Sequence, residues 1–242
     1  RIWQIYNERF SDASGFKMVL VGNIDMEKLR PLLCQYVATL PSKGKRDTVK
    51  DTYPAVRNAN ETHTFKKKMN TPSTLVSVFY TFDEPYTAKA DLALDVFKRV
   101  LTIAYTDSIR GEKGGTYGVS VQSALDRNSK PTTLIKIGFR TDPAKYEMLM
   151  PIVYRQIENI ANNGPLAESM AKVKTYLLKA YQQNAITNNY WDYVIYNNLR
   201  HGVDFHTGYE DLLNGITAQD IQQIAKDMLK SNRRIEITMM PE

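Results

Sequence analysis

Apolar and polar positions along this chain alternate between two periods. Residues 16–22, FKMVLVG, form a short continuous apolar run, and Asn23-Ile24-Asp25 after it predicts a buried strand turning into a helix with Asp25 as N-cap. Leu29, Leu33, Tyr36 or Val37, and Leu40 then recur at helical spacing over 25–40. Two strand patterns follow, 61–69 and 74–82, parted by Asn70-Thr71-Pro72, where proline cannot donate to a ladder. In 87–110 a polar stripe of Asp91, Asp95, Lys98 or Arg99, Thr102 and Thr106 leaves Ala93, Val96, Phe97, Val100, Leu101 and Ala104 on one face. That pattern predicts a long helix lying on a sheet, stopped by Gly114-Gly115.

Residues 117–125 and 133–140 read as a strand pair around the polar segment 126–131. Helices then dominate. One spans 146–163, with Leu149, Ile152, Val153, Ile157 and Ile160 on one face and Gly164 at its end. Pro165 opens the next, to about residue 187, and 188–201 continues helically to Gly202. A Thr217–Asp220 capping box precedes 221–229, and 234–239, RIEITM, closes as a strand. The order β-α-β-β-α-β-β-α-α-α-α-β predicts an α+β fold: helices packed on one face of a mixed, largely antiparallel six-stranded sheet. The polar segment 41–60 reads as a connector, because the apolar segments flanking it are each too small to stand alone.

Composition narrows the functional classes. With 242 residues, 43% of them hydrophobic, the chain can bury a substantial core, and no apolar run approaches the roughly 20 residues of a membrane-spanning helix. The net charge of +6 is spread over Lys43-Gly44-Lys45-Arg46, Lys66-Lys67-Lys68 and Arg233-Arg234, with Asp47, Asp51, Glu61 and Glu236 beside them. Such interspersed charge describes solvated faces suited to an acidic or peptide partner, not a nucleic-acid track. The single cysteine, Cys34, excludes an internal disulfide, and its amphipathic setting predicts a packed thiol. The opening Arg1-Ile2-Trp3, without an initiator methionine or signal pattern, is what a piece of a longer polypeptide would show.

Hydrolytic chemistry usually needs a metal or an activated nucleophile. The three histidines, His63, His201 and His206, form neither H-E-x-x-H nor H-x-x-E-H, the spacings that put two imidazoles and a glutamate on one helical face around zinc. No G-x-S-x-G elbow occurs, and GEKGGTYG at 111–118 lacks the Lys-Ser/Thr ending of a phosphate loop. The aromatic group Tyr176, Tyr181, Tyr190, Trp191, Tyr193 and Tyr196 sits in helical pattern, which predicts helix packing over base stacking. What remains is Arg110 and Tyr117, seven apart across a Gly-Gly joint. They read either as a donor pair, a guanidinium for a backbone carbonyl or carboxylate and a phenol for a developing oxyanion, or as a helix-ending arginine and a packed strand tyrosine.

Four segments in order, FKMVLVGNIDMEKLRPLLCQYVATLPS, IRGEKGGTYGVSV, YEDLLNGITAQDIQQIAKDML and RIEITMMPE, resemble the carboxy-terminal domain of the pitrilysin-type inverzincin peptidases. That family includes insulin-degrading enzyme, mitochondrial processing peptidase and bacterial zinc proteases. The resemblance implies a lead-in helix over 1–13 from a preceding domain and a single carboxy-terminal domain over 14–242, the last of its parent. It implies paired homologous domains enclosing a peptide, with zinc held by the partner domain, in the same chain or another subunit, on H-x-x-E-H and a distal glutamate. By the same resemblance this segment binds no metal and is inactive alone, and Arg110 and Tyr117 bind the peptide substrate of a zinc metalloendopeptidase. Neither nucleic acid nor a membrane-spanning segment is implied; the sequence leaves the compartment open, with a periplasmic or secreted bacterial parent favoured. A catalytically inactive scaffold subunit of the same family is the alternative that fold alone leaves open.

Overall fold

The computed structural model describes residues 1–44, 57–110, 116–126 and 132–242, without the side chains of residues 109, 110, 116 and 117. Five strands form one sheet: β1 (Asn60–Lys67), β2 (Thr74–Asp83), β3 (Thr116–Leu125), β4 (Thr132–Thr141) and β5 (Arg234–Pro241), in spatial order β1-β5-β2-β4-β3. The eight helices of the described residues are α1 (Ile2–Phe10), α2 (Met26–Tyr36), α3 (Ala88–Tyr105), α4 (Tyr146–Asn163), α5 (Ala167–Asn184), α6 (Asn188–His201), α7 (Tyr209–Gly215) and α8 (Ala218–Lys230).

The period-2 pattern of β2 places Val76, Val78, Tyr80 and Phe82 on one buried face, directly opposite Phe139, Ile137, Ile135 and Thr133 of β4. Against this face lie α3, whose Val96, Phe97, Val100 and Leu101 are buried, and α4, with Leu149, Ile152, Val153, Ile157 and Ile160 buried as its spacing predicts. Helix α8 completes the layer through Ile221, Ile224, Ala225 and Met228. Its start is the expected capping box: Thr217 Oγ1 accepts from the Asp220 N–H at 3.1 Å, and Asp220 Oδ2 accepts from the Thr217 N–H at 2.7 Å. Asp220 also receives Lys89 Nζ at 2.9 Å. Loss of such a cap typically costs on the order of 1 kcal/mol. Urea unfolding should therefore register Thr217→Ala as a lower midpoint with an unchanged m-value; an unchanged midpoint would remove the cap from the account.

Two expectations about the sheet need correction. Among the described residues it has five strands, because residues 16–22 carry no strand pairing. It is mixed instead of largely antiparallel: β1 runs parallel to β5 over eight residues, while β5/β2, β2/β4 and β4/β3 are antiparallel. The packed thiol expected at Cys34 is also corrected, since that residue is exposed on α2, whose apolar spacing leaves Leu29, Leu33 and Val37 only half-buried.

By internal contacts the chain divides into two units. The first holds the described residues up to 44 together with Gln182–Phe205; the second holds the rest, including the whole sheet. In the first unit, Asp25 caps α2 by accepting from the Glu27 and Lys28 N–H groups at 3.0 and 3.3 Å, as its position predicts. Trp191 Nε1 there donates to the Ala185 carbonyl at 2.8 Å. The expectation of helix-packed tyrosines holds only in part, because Tyr176, Tyr193 and Tyr196 are exposed.

Candidate functional site

Helix α3 begins where Thr87 Oγ1 accepts from the Ala90 N–H at 3.1 Å, and its end is shaped by hydroxyls. Thr102 Oγ1 donates to the Lys98 carbonyl at 2.7 Å, Thr106 Oγ1 to Thr102 at 2.8 Å, and Ser108 Oγ to Ala104 at 2.6 Å. Bonds of this kind compete with the backbone ladder and loosen a helix. The coil widens accordingly into a π-helical turn, Thr106–Arg110, a geometry frequent at functional sites. Arg110 is its last residue.

Tyr117 is the second residue of β3, an outer strand of the sheet. Thr116 stands opposite Thr141 and Val119 opposite Phe139, so three steps on β3 match two on β4. The extra residue makes a β-bulge at Tyr117 and Gly118, where Gly118 has φ +154°, a value that side-chain-bearing residues rarely adopt. The π-helical turn packs against β3. The glycine joint between them lies outside the described residues, as do both side chains.

Beside the π-helical turn opens a cleft of about 440 Å³. Asp107 and Ser108 line it from the turn, and Gln156, Asn159 and Asn163 from α4. Carboxamides offer both donors and acceptors, the groups an extended peptide backbone needs.

A second polar cluster sits under the sheet on β5. Glu236 is only 4% exposed and accepts from the Tyr146 hydroxyl at 3.1 Å and from the Tyr154 hydroxyl, with the Arg234 guanidinium 4.0 Å away. Burial, and then the Glu236 carboxylate, push the Tyr154 phenol well up. Burial likewise pushes Tyr80 up to about 12, partly offset by Arg234. The folded-state pKa of Tyr80 thus lies above the unfolded value of about 10, so its contribution to stability is intact below pH 10 and lost as pH rises through about 12. Urea titrations across that window should show stability falling, with a shallower slope, by up to about one proton, in Tyr80→Phe. Equal slopes would contradict this. Hydrophobic patterning missed the Glu236 cluster altogether.

Each histidine has its own setting. His63, on β1, has Nε2 2.9 Å from Glu61; His201 ends α6; His206 has Nδ1 3.3 Å from the Tyr181 hydroxyl, whose ring stacks on Tyr209. Among the described residues no group of three or more His, Cys, Asp or Glu could hold a metal ion.

A family model described as the peptidase M16 inactive domain matches residues 1–177. The probable zinc protease PqqL of Escherichia coli is 25% identical over 178 residues, which is 72% of this chain and 18% of that protein. The curated relatives are much longer, and this chain spans between 18% and 24% of their length. In fold, the crystal structure of the periplasmic protease PqqL from Escherichia coli matches with a TM-score of 0.73 at 19% identity, over 91% of this chain and 25% of that one. The crystal structure of the first half of the same protein matches with a TM-score of 0.70 at 14% identity, over 90% of this chain and 50% of that half. With the family model covering most of its length, the chain belongs to the peptidase M16 inactive-domain family.

Proposed function

We propose that this chain is the substrate-gripping, non-catalytic domain of a zinc metalloendopeptidase, completing an active site whose zinc is held by a homologous partner domain. The partner lies in the same polypeptide or in a second subunit, and the periplasm is the compartment that the named relative suggests. The observation that carries the reading is local: a π-helical turn ending at Arg110 packs against an outer strand that bulges at Tyr117.

In this reading Tyr117 donates its hydroxyl to the carbonyl oxygen of the scissile peptide as that oxygen gains charge. Arg110 directs two N–H groups at a substrate backbone carbonyl and fixes the peptide's register. Zinc, when bound in the partner, supplies Lewis-acid polarisation and an activated water. Neither donor of this chain changes protonation state. Their effect is preorganisation: hydrogen bonds that strengthen as charge develops favour the transition state over the bound peptide. The cleft beside the turn, where three carboxamides stand with Asp107 and Ser108, supports a peptide ligand by offering partners to its backbone.

Steady-state hydrolysis of a quenched fluorescent peptide by the full-length protein tests the assignment through Arg110→Ala. Loss of register contacts should raise KM and lower kcat/KM by about 10-fold or more, while zinc content stays constant. Unchanged kinetics would release Arg110 to the role of a helix end.

A further inference from the structure

Where β5 begins, Tyr154 and Glu158 of α4, Leu229 of α8, Arg234 of β5 and the adjoining Asn60 and Asn232 line a cavity of about 330 Å³. That size lies at the small end of the range of about 300–1,000 Å³ typical of small-molecule sites. Its walls carry two charges that the fold does not neutralise closely. The Arg234 side chain is 27% exposed, and its only ion pair among the described residues is the 4.0 Å contact with Glu236, a carboxylate already shared by two tyrosine hydroxyls. The guanidinium is nevertheless held in place. Nε donates to Asn60 Oδ1 at 3.2 Å, Nη2 to Thr62 Oγ1 at 3.4 Å, and Cζ sits 5.1 Å from the centre of the Tyr154 ring. Asn60 Nδ2 in turn donates to Asn232 Oδ1 at 2.6 Å, which leaves the Asn232 amino group without a partner among the described residues. Glu158, one helical turn after Tyr154, likewise takes no hydrogen bond and no ion pair among the described residues.

A ligand that suits this cavity brings both charges. A carboxylate matches the planar guanidinium fork and the amide donors of Asn232 beside it. An ammonium, with three donors and no acceptor, matches the Glu158 carboxylate. Arg234 lies over the Tyr154 ring, and Glu158 follows Tyr154 by one turn of α4, about 5.4 Å along the helix axis, so one small molecule reaches both groups. Leu229, 38% exposed, adds an apolar wall. We propose that this cavity binds a free α-amino acid with an apolar side chain: its carboxylate on Arg234 and Asn232, its ammonium on Glu158, its side chain against Leu229. The functional reading is not needed for this inference, since no step of it depends on peptide hydrolysis.

Calorimetric titration of the full-length protein with L-leucine tests it. Leucine should bind, while N-acetyl-L-leucine, which lacks the ammonium, and L-leucine amide, which lacks the carboxylate, should each bind at least about 10-fold more weakly. Glu158→Gln removes a charge that has no partner among the described residues, so the variant should melt with the parent while its leucine affinity falls about 10-fold or more. In that variant leucine should also lose its advantage over N-acetyl-L-leucine. Absence of leucine binding at millimolar concentration would overturn the proposal. N-acetyl-L-leucine binding as tightly as leucine to the parent would overturn it too, by removing the ammonium from the recognition. Unchanged leucine affinity in Glu158→Gln would do the same, by placing the amino acid elsewhere. Leucine binding with the expected selectivity in a protein that cuts no peptide would uphold the site and count against the proposed function alone.

Discussion

If the proposed function holds, Tyr117→Phe in the full-length protein should lower kcat on the order of 100-fold while KM stays within about twofold. The reason is the differential character of the proposed bond. A phenol aimed at a carbonyl that becomes an oxyanion gains strength as the reaction proceeds, so removing the hydroxyl costs the transition state more than the bound peptide. Phenylalanine keeps the ring, and the bulge at residues 117–118 comes from the backbone and Gly118, so the fold should be indifferent to the change. Equal melting temperatures of variant and parent would show that the rate loss is chemical. A variant with unchanged kcat would return Tyr117 to the status of a packed strand residue.

Glu236→Ala should be the most damaging single change to stability among those considered, at about 3 kcal/mol. Glu236 is the shared acceptor of two tyrosine hydroxyls, with Arg234 at its edge. Its removal leaves the Tyr146 and Tyr154 hydroxyls without that acceptor, opens a void beside Val78, and releases a cation held over the Tyr154 ring. For a chain of this size the melting temperature should fall by roughly 6–12 °C. Glu236→Gln, which keeps an acceptor oxygen, should recover part of that loss. If alanine and glutamine variants melt with the parent, the cluster is not a stabilising one.

The sequence was readable where one period dominated and the cover lay within the chain. Helix α4 runs over the residues its pattern predicts, with its five-residue apolar face buried, and the Thr217–Asp220 box starts α8 as expected. On β5 the pattern misled. Ile235, Ile237 and Met239 look like the inward set, yet the register places Glu236 and Thr238 on the buried face opposite Val78 and Val76. That inversion is tolerable because Tyr146 and Tyr154 arrive from α4, some 80 to 90 residues away, and no local pattern can announce a distant hydroxyl. Residues 16–22 failed differently: their apolar run reads as a buried strand, yet they carry no strand pairing. The π-helical turn was also invisible, because Thr102, Thr106 and Ser108 read simply as the polar stripe of a helix, while their hydroxyls bond back to the ladder. The spacing of Arg110 and Tyr117 was plain in the sequence, whereas the turn that ends at Arg110 and the bulge at Tyr117 were not.

The most direct test of the central claim is a paired measurement of zinc content and peptide cleavage on the full-length protein and on the 242-residue chain, each with and without a chelator. The account predicts about one equivalent of zinc per zinc-binding domain and chelator-sensitive cleavage in the full-length protein, with neither zinc nor cleavage in the separate chain. A full-length protein that contains no zinc and cuts no peptide would contradict it and assign this domain to a scaffold.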